Sequence, residues 1–271
     1  MKSNNMRNTN KKPFVRLRHI ALVAIVLAAV VIFNSLGLTT QAFSESWGQV
    51  LAQAAMWLLL ALLIYTYAGY PIILALLSRV HNRPVNKGGI TPSVSVILAA
   101  YNEESVIRQK IDNLLAVDYP SDRLEILIGS DGSNDRTAGI AKSFNDARIK
   151  VFDYQERAGK VSVLNRLVLN AAHEILIFTD ASEMFDPQAV RRLVANFADP
   201  YVGAVSGQLM MTSEDSNGST QGVSAYWKYE KALRQMESRV YSMLGATGAI
   251  YALRKSLYRP PASEAILDDV A

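Results

Sequence analysis

EILIFTDASE, residues Glu174–Glu183, joins a run of apolar and β-branched residues, Ile175 to Phe178, to an abrupt Thr179-Asp180. A buried parallel strand that delivers a carboxylate to the carboxyl edge of its sheet has this pattern. In open α/β sheets, ligands bind outside that edge. Two other runs end the same way. Val94–Ala100 passes into Tyr101-Asn102-Glu103, and Ile126–Ile128 passes into Gly129-Ser130-Asp131. Three strands are therefore expected to converge on one crevice, each bringing polar or acidic groups.

Working outward from this stretch, strand-like and helix-like segments alternate. Strand Val94–Ala100 leads to a helix over Glu103–Ala116, and strand Glu125–Gly129 to a helix over Thr137–Phe144. Strand Lys150–Phe152 leads to Lys160–Ala172, and Ile175–Phe178 to Gln188–Phe197. A fifth strand over Val202–Leu209, a Ser/Gly/Asn-rich loop over Thr212–Thr220, a long helix over Val223–Met243 and a last strand over Ala249–Leu253 follow. The order predicts an α/β domain over 93–271: a mostly parallel sheet with helices on both faces.

The N-terminal part reads differently. Residues 1–18 form a basic tail in which Lys2, Arg7, Lys11, Lys12, Arg16 and Arg18 precede any acid. Without those six, the 28 basic residues fall below the 24 acidic ones, so the net charge of +4 belongs to the tail. The folded domain has no basic excess and nucleic acid is not an expected partner. Ile20–Leu38 and Val50–Leu77 are uncharged apolar runs, and roughly 20 such residues cross a bilayer. The first exceeds a usual signal-peptide core, so residues 19–78 are expected to form two transmembrane helices. Tyr65, Tyr67 and Tyr70 suit a membrane interface, and Pro71 suits a kink. Basic residues flank the spans before the first and after the second (Arg79, Arg83, Lys87), which puts the large domain on the cytoplasmic side of a multi-pass cell-membrane protein. Residues 79–92 read as a linker. The chain has no cysteine, which excludes disulfides, thiolate metal sites and a cysteine nucleophile.

The chemistry rests on carboxylates. There is no Gly-rich phosphate loop ending in Lys-Ser/Thr, no GxGxxG after the first strand and no GxSxG elbow. His19, His81 and His173 have no metal-ligand spacing. Asp180, at a strand tip with Ser182 two residues on, suits a Mg²⁺ or Mn²⁺ ion completed by diphosphate oxygens and water. Taken singly, each acid also fits a plain structural role. Asp180 fits a turn, Asp131 and Asp135 fit a turn and a helix cap, and Glu103 fits the first turn of a helix.

Taken in order, the motifs AYNEE, SDGSND, Gly159-Lys160 with Leu164-Asn165, FTDAS, GATGAIYALRK and ILDD resemble family 2 glycosyltransferases of the GT-A fold. The resemblance runs from about Pro92 onward and is nearest the membrane-embedded processive synthases of the cellulose, chitin and hyaluronan type. It implies inverting transfer of a sugar from a nucleotide donor, usually UDP-linked, to a glycan or lipid-linked acceptor at the bilayer. It also implies roles. Tyr101, Glu103 and Asp131 surround the nucleoside, Lys160 lies near the diphosphate, and Asp180 is the first acid of the metal motif. Ser182 stands where that motif has its second acid, and Ser130 stands where the family usually pairs another acid with Asp131. Thr247 and Gly248 support the acceptor sugar, and Asp269 is the general base. The family's Gln-x-x-Arg-Trp motif does not appear, and the chain stops two residues after Asp269. The expectation from sequence is therefore a C-terminally incomplete domain that binds UDP without polymerising sugar. A non-catalytic nucleotide-binding membrane protein and a non-processive transferase remain open. A nucleotidyltransferase is disfavoured because AYNEE lacks a Gly-rich, Arg-containing loop.

Overall fold

The structure, a computed structural model, describes residues 47–208, 220–243 and 245–261. The first apolar run, most of the Thr212–Thr220 segment, and Asp268 and Asp269 lie outside the described residues. The chain divides into two units, Met1–Tyr70 and Pro71–Ala271.

In the first unit, helix α1 (Trp47–Ile64) passes into a π-helical turn, Tyr65–Gly69, closed by the Tyr70 amide on the Tyr65 carbonyl. Helix α2, Tyr70–Val80, begins at the last residue of the first unit and belongs otherwise to the second. Pro71 has no amide to give to the carbonyl four residues back. The wider turn just before it is the form taken by the irregularity the sequence expects there. Among the described residues one helical stretch, Gly48–Val80, is long and apolar enough to cross a membrane. Its Trp57, Leu58, Leu62 and Ile64 side chains are more than half exposed.

The second unit contains a six-stranded sheet in the order β3-β2-β1-β4-β6-β5. Its strands are β1 (Val94–Ala100), β2 (Leu124–Asp131), β3 (Ile149–Tyr154), β4 (Ile175–Thr179), β5 (Ala204–Ser206) and β6 (Ile250–Arg254). The first four are parallel, while β6 runs antiparallel to both β4 and β5. Helices α3 (Ile107–Leu115), α4 (Thr137–Lys142), α5 (Lys160–Asn170), α6 (Ala189–Val194) and α7 (Thr220–Val240) complete the order.

Alternation along the central strands separates two cores. Val94, Val96 and Leu98 of β1, with Ile126, Ile128, Ile175 and Ile177, pack with α3, α4 and α6. Ile97, Leu127, Leu176 and Phe178 point the other way, onto Val163, Leu164, Leu167 and Val168 of α5. Both faces are covered, which is why these strands read as continuous apolar runs rather than alternating ones. The chain order reverses between β1 and β4, so the crevice lies beyond their carboxyl ends.

Two expectations need correction. The fifth strand is three residues, not Val202–Leu209, and lies antiparallel at the sheet edge. Gly207, the next residue, still donates its amide to the Ile250 carbonyl at 2.8 Å, and a Cβ there would come within 2.3 Å of Ile250 Cγ2. The helix after β1 begins at Ile107, not Glu103. Asn102 adopts φ 54°, and the Glu103 carbonyl accepts the Val106 and Ile107 amides, so Glu103 sits in a loop above the strand tip.

Candidate active site

Asp180 follows β4 directly, and its carboxylate lies 2.9 Å from the ammonium of Lys160, the first residue of α5. Both side chains are about two-fifths exposed, at 39% and 42%, so the pair faces solvent across the crevice. Asp131 ends β2 and is only 3% exposed. Its two oxygens accept the backbone amides of Ala158 (2.7 Å) and Gly159 (3.0 Å). The carboxylate thus fixes the loop that launches α5 and sets where Lys160 begins. Gly132, next to Asp131, has φ +63°, and a Cβ there would stand 2.7 Å from the Arg157 amide nitrogen. A glycine is needed for this close approach of two loops.

The loops after β1 and β2 are tied together. The Asn102 amide donates to Ser133 Oγ, and the Asn134 amide donates to Asn102 Oδ1. The Glu103 amide donates to Thr137 Oγ1 at 2.8 Å, and the Glu104 amide to Asp135 Oδ2. Asp135 also accepts the Thr137 amide, tying the loop to the start of α4 as its sequence position suggests. Glu103 is thereby held over the strand tips. Its carboxyl pKa is raised by burial first, then by the negative charges of Asp135 and Asp180. Tyr101 has the guanidinium of Arg157 over its ring, 3.9 Å from the centroid.

Lys110, on α3, is the group that sequence reasoning missed. Its side chain is fully buried. The ammonium donates to Thr179 Oγ1 (2.8 Å) and to the Glu183 carbonyl, and lies over the Phe185 ring. Burial pushes its pKa down to about 8, while the charges of Asp180 and Glu183 act to raise it. A signal was present: Lys110 falls on the same helical face as Ile107, Ile111 and Leu114, where an apolar residue is the norm.

Thr247 and Gly248 precede β6, whose antiparallel direction brings its start beside the end of β4. Thr179 Oγ1 donates to the Ala249 carbonyl at 3.2 Å. The Thr247 amide donates to Ser206 Oγ, and Arg234 of α7 donates to Thr247 Oγ1 at 2.9 Å. Asn165 reaches the chain after β6, donating to the Pro261 carbonyl and accepting from the Tyr258 hydroxyl. The roles of Arg157 and Arg234 had no sequence signal beyond their charge.

The sheet edge therefore gathers Tyr101, Glu103, Asp131, Lys160, Asp180, Thr247 and Gly248. Ser182 is exposed two residues beyond Asp180. Among the described residues no group of three or more His, Cys, Asp or Glu side chains forms a metal cage. A recess of about 450 Å³ bordered by Ser93, His173, Glu174 and Arg254 sits at the opposite end of the strands, and none of the sequence-predicted site residues lines it.

Glycosyl transferase family 2 matches residues 95–259, more than half of the chain. The poly-beta-1,6-N-acetyl-D-glucosamine synthase of Staphylococcus aureus is 33% identical over 125 residues, which is 45% of this chain and 30% of that protein. The synthase of the same name from Staphylococcus epidermidis is 31% identical over 125 residues, with the same coverage. The match thus spans less than a third of the length of these relatives. Among solved structures, the mannosyltransferase PcManGT from Pyrobaculum calidifontis, in complex with GDP-Man and Mn²⁺, superposes with a TM-score of 0.59 at 27% identity. The superposition covers 73% of this chain and 55% of that one. The six-stranded mixed sheet agrees with the GT-A fold expected from the motifs, and the chain belongs to glycosyl transferase family 2.

Proposed function

We propose that this chain carries the donor-binding domain of an inverting glycosyltransferase that moves a sugar from a UDP donor to a growing polysaccharide at the cytoplasmic face of the cell membrane. The observation that carries this reading is the Asp180–Lys160 pair at the β1/β4 switch point. An anion suited to a metal and a cation suited to a diphosphate stand 2.9 Å apart at the edge where nucleotides bind. Lys160 also opens α5, whose first amides favour an anionic group.

The donor set fits a hard divalent cation. The Asp180 carboxylate and the Ser182 hydroxyl would hold Mg²⁺ or Mn²⁺ as oxygen ligands, with diphosphate and water completing the set. Such an ion, when bound, offsets the charge that gathers on the departing diphosphate. Lys160, 2.9 Å from Asp180, would add a second positive charge. Tyr101, Glu103 and Asp131 border the nucleoside, Asp131 acting through the Ala158-Gly159 loop as well. Thr247 and Gly248 hold the acceptor, whose hydroxyl oxygen attacks the anomeric carbon opposite the leaving UDP. Asp269 takes the proton as the new bond forms. Support for a polysaccharide acceptor comes from the synthases named above. Support for a nucleotide-sugar with Mn²⁺ comes from the mannosyltransferase complex. Support for a membrane setting comes from the exposed apolar helix Gly48–Val80.

Titration calorimetry of the full chain in detergent, with UDP or GDP and with or without Mn²⁺, tests the reading. UDP is expected to bind more tightly with Mn²⁺, and Asp180→Asn is expected to remove that gain. Equal affinity with and without Mn²⁺ would end the metal role. Absence of UDP binding would end the nucleotide reading, and tighter GDP binding would reassign the base.

A further inference from the structure

We propose that Lys110 is a positioning residue for this site: its buried ammonium holds the Asp180 turn and, through Thr179, the segment that opens β6. The proposal rests on the donor-site reading above, in that the turn it holds is the one carrying Asp180.

Nothing in the packing of α3 calls for a charge at this position. Ile107, Ile111 and Leu114 fill the same face with hydrocarbon, and a methionine would occupy similar space. A buried charge persists where it is paired and hydrogen-bonded, and the partners of Lys110 all lie at the last residue of β4 or on the turn that follows it. The ammonium donates to the Thr179 hydroxyl at its start and the Glu183 carbonyl near its end, with Phe185 beneath. Asn113, one turn further along α3, binds both the amide (2.7 Å) and the carbonyl (2.9 Å) of Phe185. Helix α3 therefore clamps the turn at both ends, with Asp180 on the arc between them.

The second link runs to the acceptor side. The hydroxyl that accepts from Lys110 donates in turn to the Ala249 carbonyl, next to Thr247-Gly248. A threonine hydroxyl has one proton to give. With the ammonium on its lone pair, that single proton is left to be shared between the carbonyls of Ala249 and Asp180, each 3.2 Å away. One cation thus sets the spacing between the donor-side carboxylate and the acceptor-side segment, a spacing on which in-line transfer depends.

The test uses the full chain in detergent and compares wild type with Lys110→Met and Thr179→Val. Hydrogen–deuterium exchange of Lys110→Met is expected to quicken at the amides of residues 181–185 and 248–251 while β1 and β2 stay protected. Its Mn²⁺-dependent gain in UDP affinity is expected to fall about tenfold, the factor that matches loss of one hydrogen bond to a charged group. UDP binding without metal is expected to stay as in wild type. Unchanged exchange at 181–185, uniform quickening over the whole sheet, or a full Mn²⁺ gain would each overturn the proposal. If Lys110→Met does not fold, Thr179→Val decides. It keeps Lys110 on Glu183 and is expected to quicken exchange at 248–251 more than at 181–185, and wild-type exchange at 248–251 overturns the link. A wild-type chain that binds no nucleotide refutes the function proposed above, while exchange still judges the tether.

Discussion

Glu125 provides a test of how the sheet is held at the end away from the crevice. The carboxylate is 7% exposed and accepts three hydrogen bonds: Ser95 Oγ at 2.6 Å, the Ala172 amide at 3.0 Å and Lys150 Nζ at 2.6 Å. These contributions are unequal. Lys150 is 51% exposed, so its share is that of a surface pair, about 0–1 kcal/mol. Ala172 is exposed, so water can replace the partner its amide would lose. Ser95 is fully buried, and its bond to a charged acceptor is worth about 1.5–3 kcal/mol. Glu125→Ala is therefore expected to cost about 2–4 kcal/mol and Lys150→Met less than about 1 kcal/mol. The carboxyl pKa in the folded chain is below its ordinary value: burial opposes ionisation, but the hydrogen bonds from Lys150, Ser95 and Ala172 outweigh it. The stabilisation is accordingly complete above the ordinary glutamate value of 4.5 and is lost as pH falls through the lower folded value. Pulse proteolysis in urea, on the full chain in detergent at pH 7 and stepwise below pH 4.5, reads both effects. Equal costs for the two substitutions, or a Glu125→Ala deficit that does not shrink in acid, would refute this division of the network.

Gly129→Ala is expected to destabilise by about 1–3 kcal/mol, because its Cβ would stand 2.4 Å from Val163 Cγ1. Adding Val163→Ala should recover part of that loss, and strict additivity of the two in urea midpoints would count against the stated clash. Since the chain has no cysteine, single cysteines at Ser44 and Ser93 report topology directly. An impermeant thiol reagent on intact cells is expected to label position 44 and spare position 93, and the reverse pattern would refute a cytoplasmic domain.

The central parallel strands were legible because burial on both faces leaves an unbroken apolar run that ends sharply at a polar tip. Val94–Ala100 matches its expected bounds, and β2 and β4 differ by only one or two residues at either end. The direction of β6 was not legible: pairing is decided by which distant strand it meets, and YAL reads alike in either direction. The three-residue length of β5 was not legible either, because its partner, β6, lies more than forty residues further along the chain. Within the site, Asp180 and Lys160 were legible as residues but not as a pair. Asp131 was expected at the nucleoside, and its bonds to the Ala158 and Gly159 amides follow from the parallel β2–β3 neighbours, which no local pattern encodes. Asp269 lies outside the described residues, so its role as base stands as a proposal.

The insertion of β6 beside β4 also bears on synthesis. Thr179, at the end of β4, meets Ala249, a residue 70 positions later in the chain. When the ribosome has released β1 to β4, the parallel half of the sheet has all its strands, yet β4 still lacks its second neighbour. At roughly 5–20 residues per second, that gap lasts several seconds. Throughout it, ILIFT is an uncovered edge with open hydrogen-bonding groups and no charge of its own, the kind of edge that pairs with the wrong chain. Slowing translation before β6 should therefore lower the yield of folded protein more than slowing it after β6, even though the finished strand is buried.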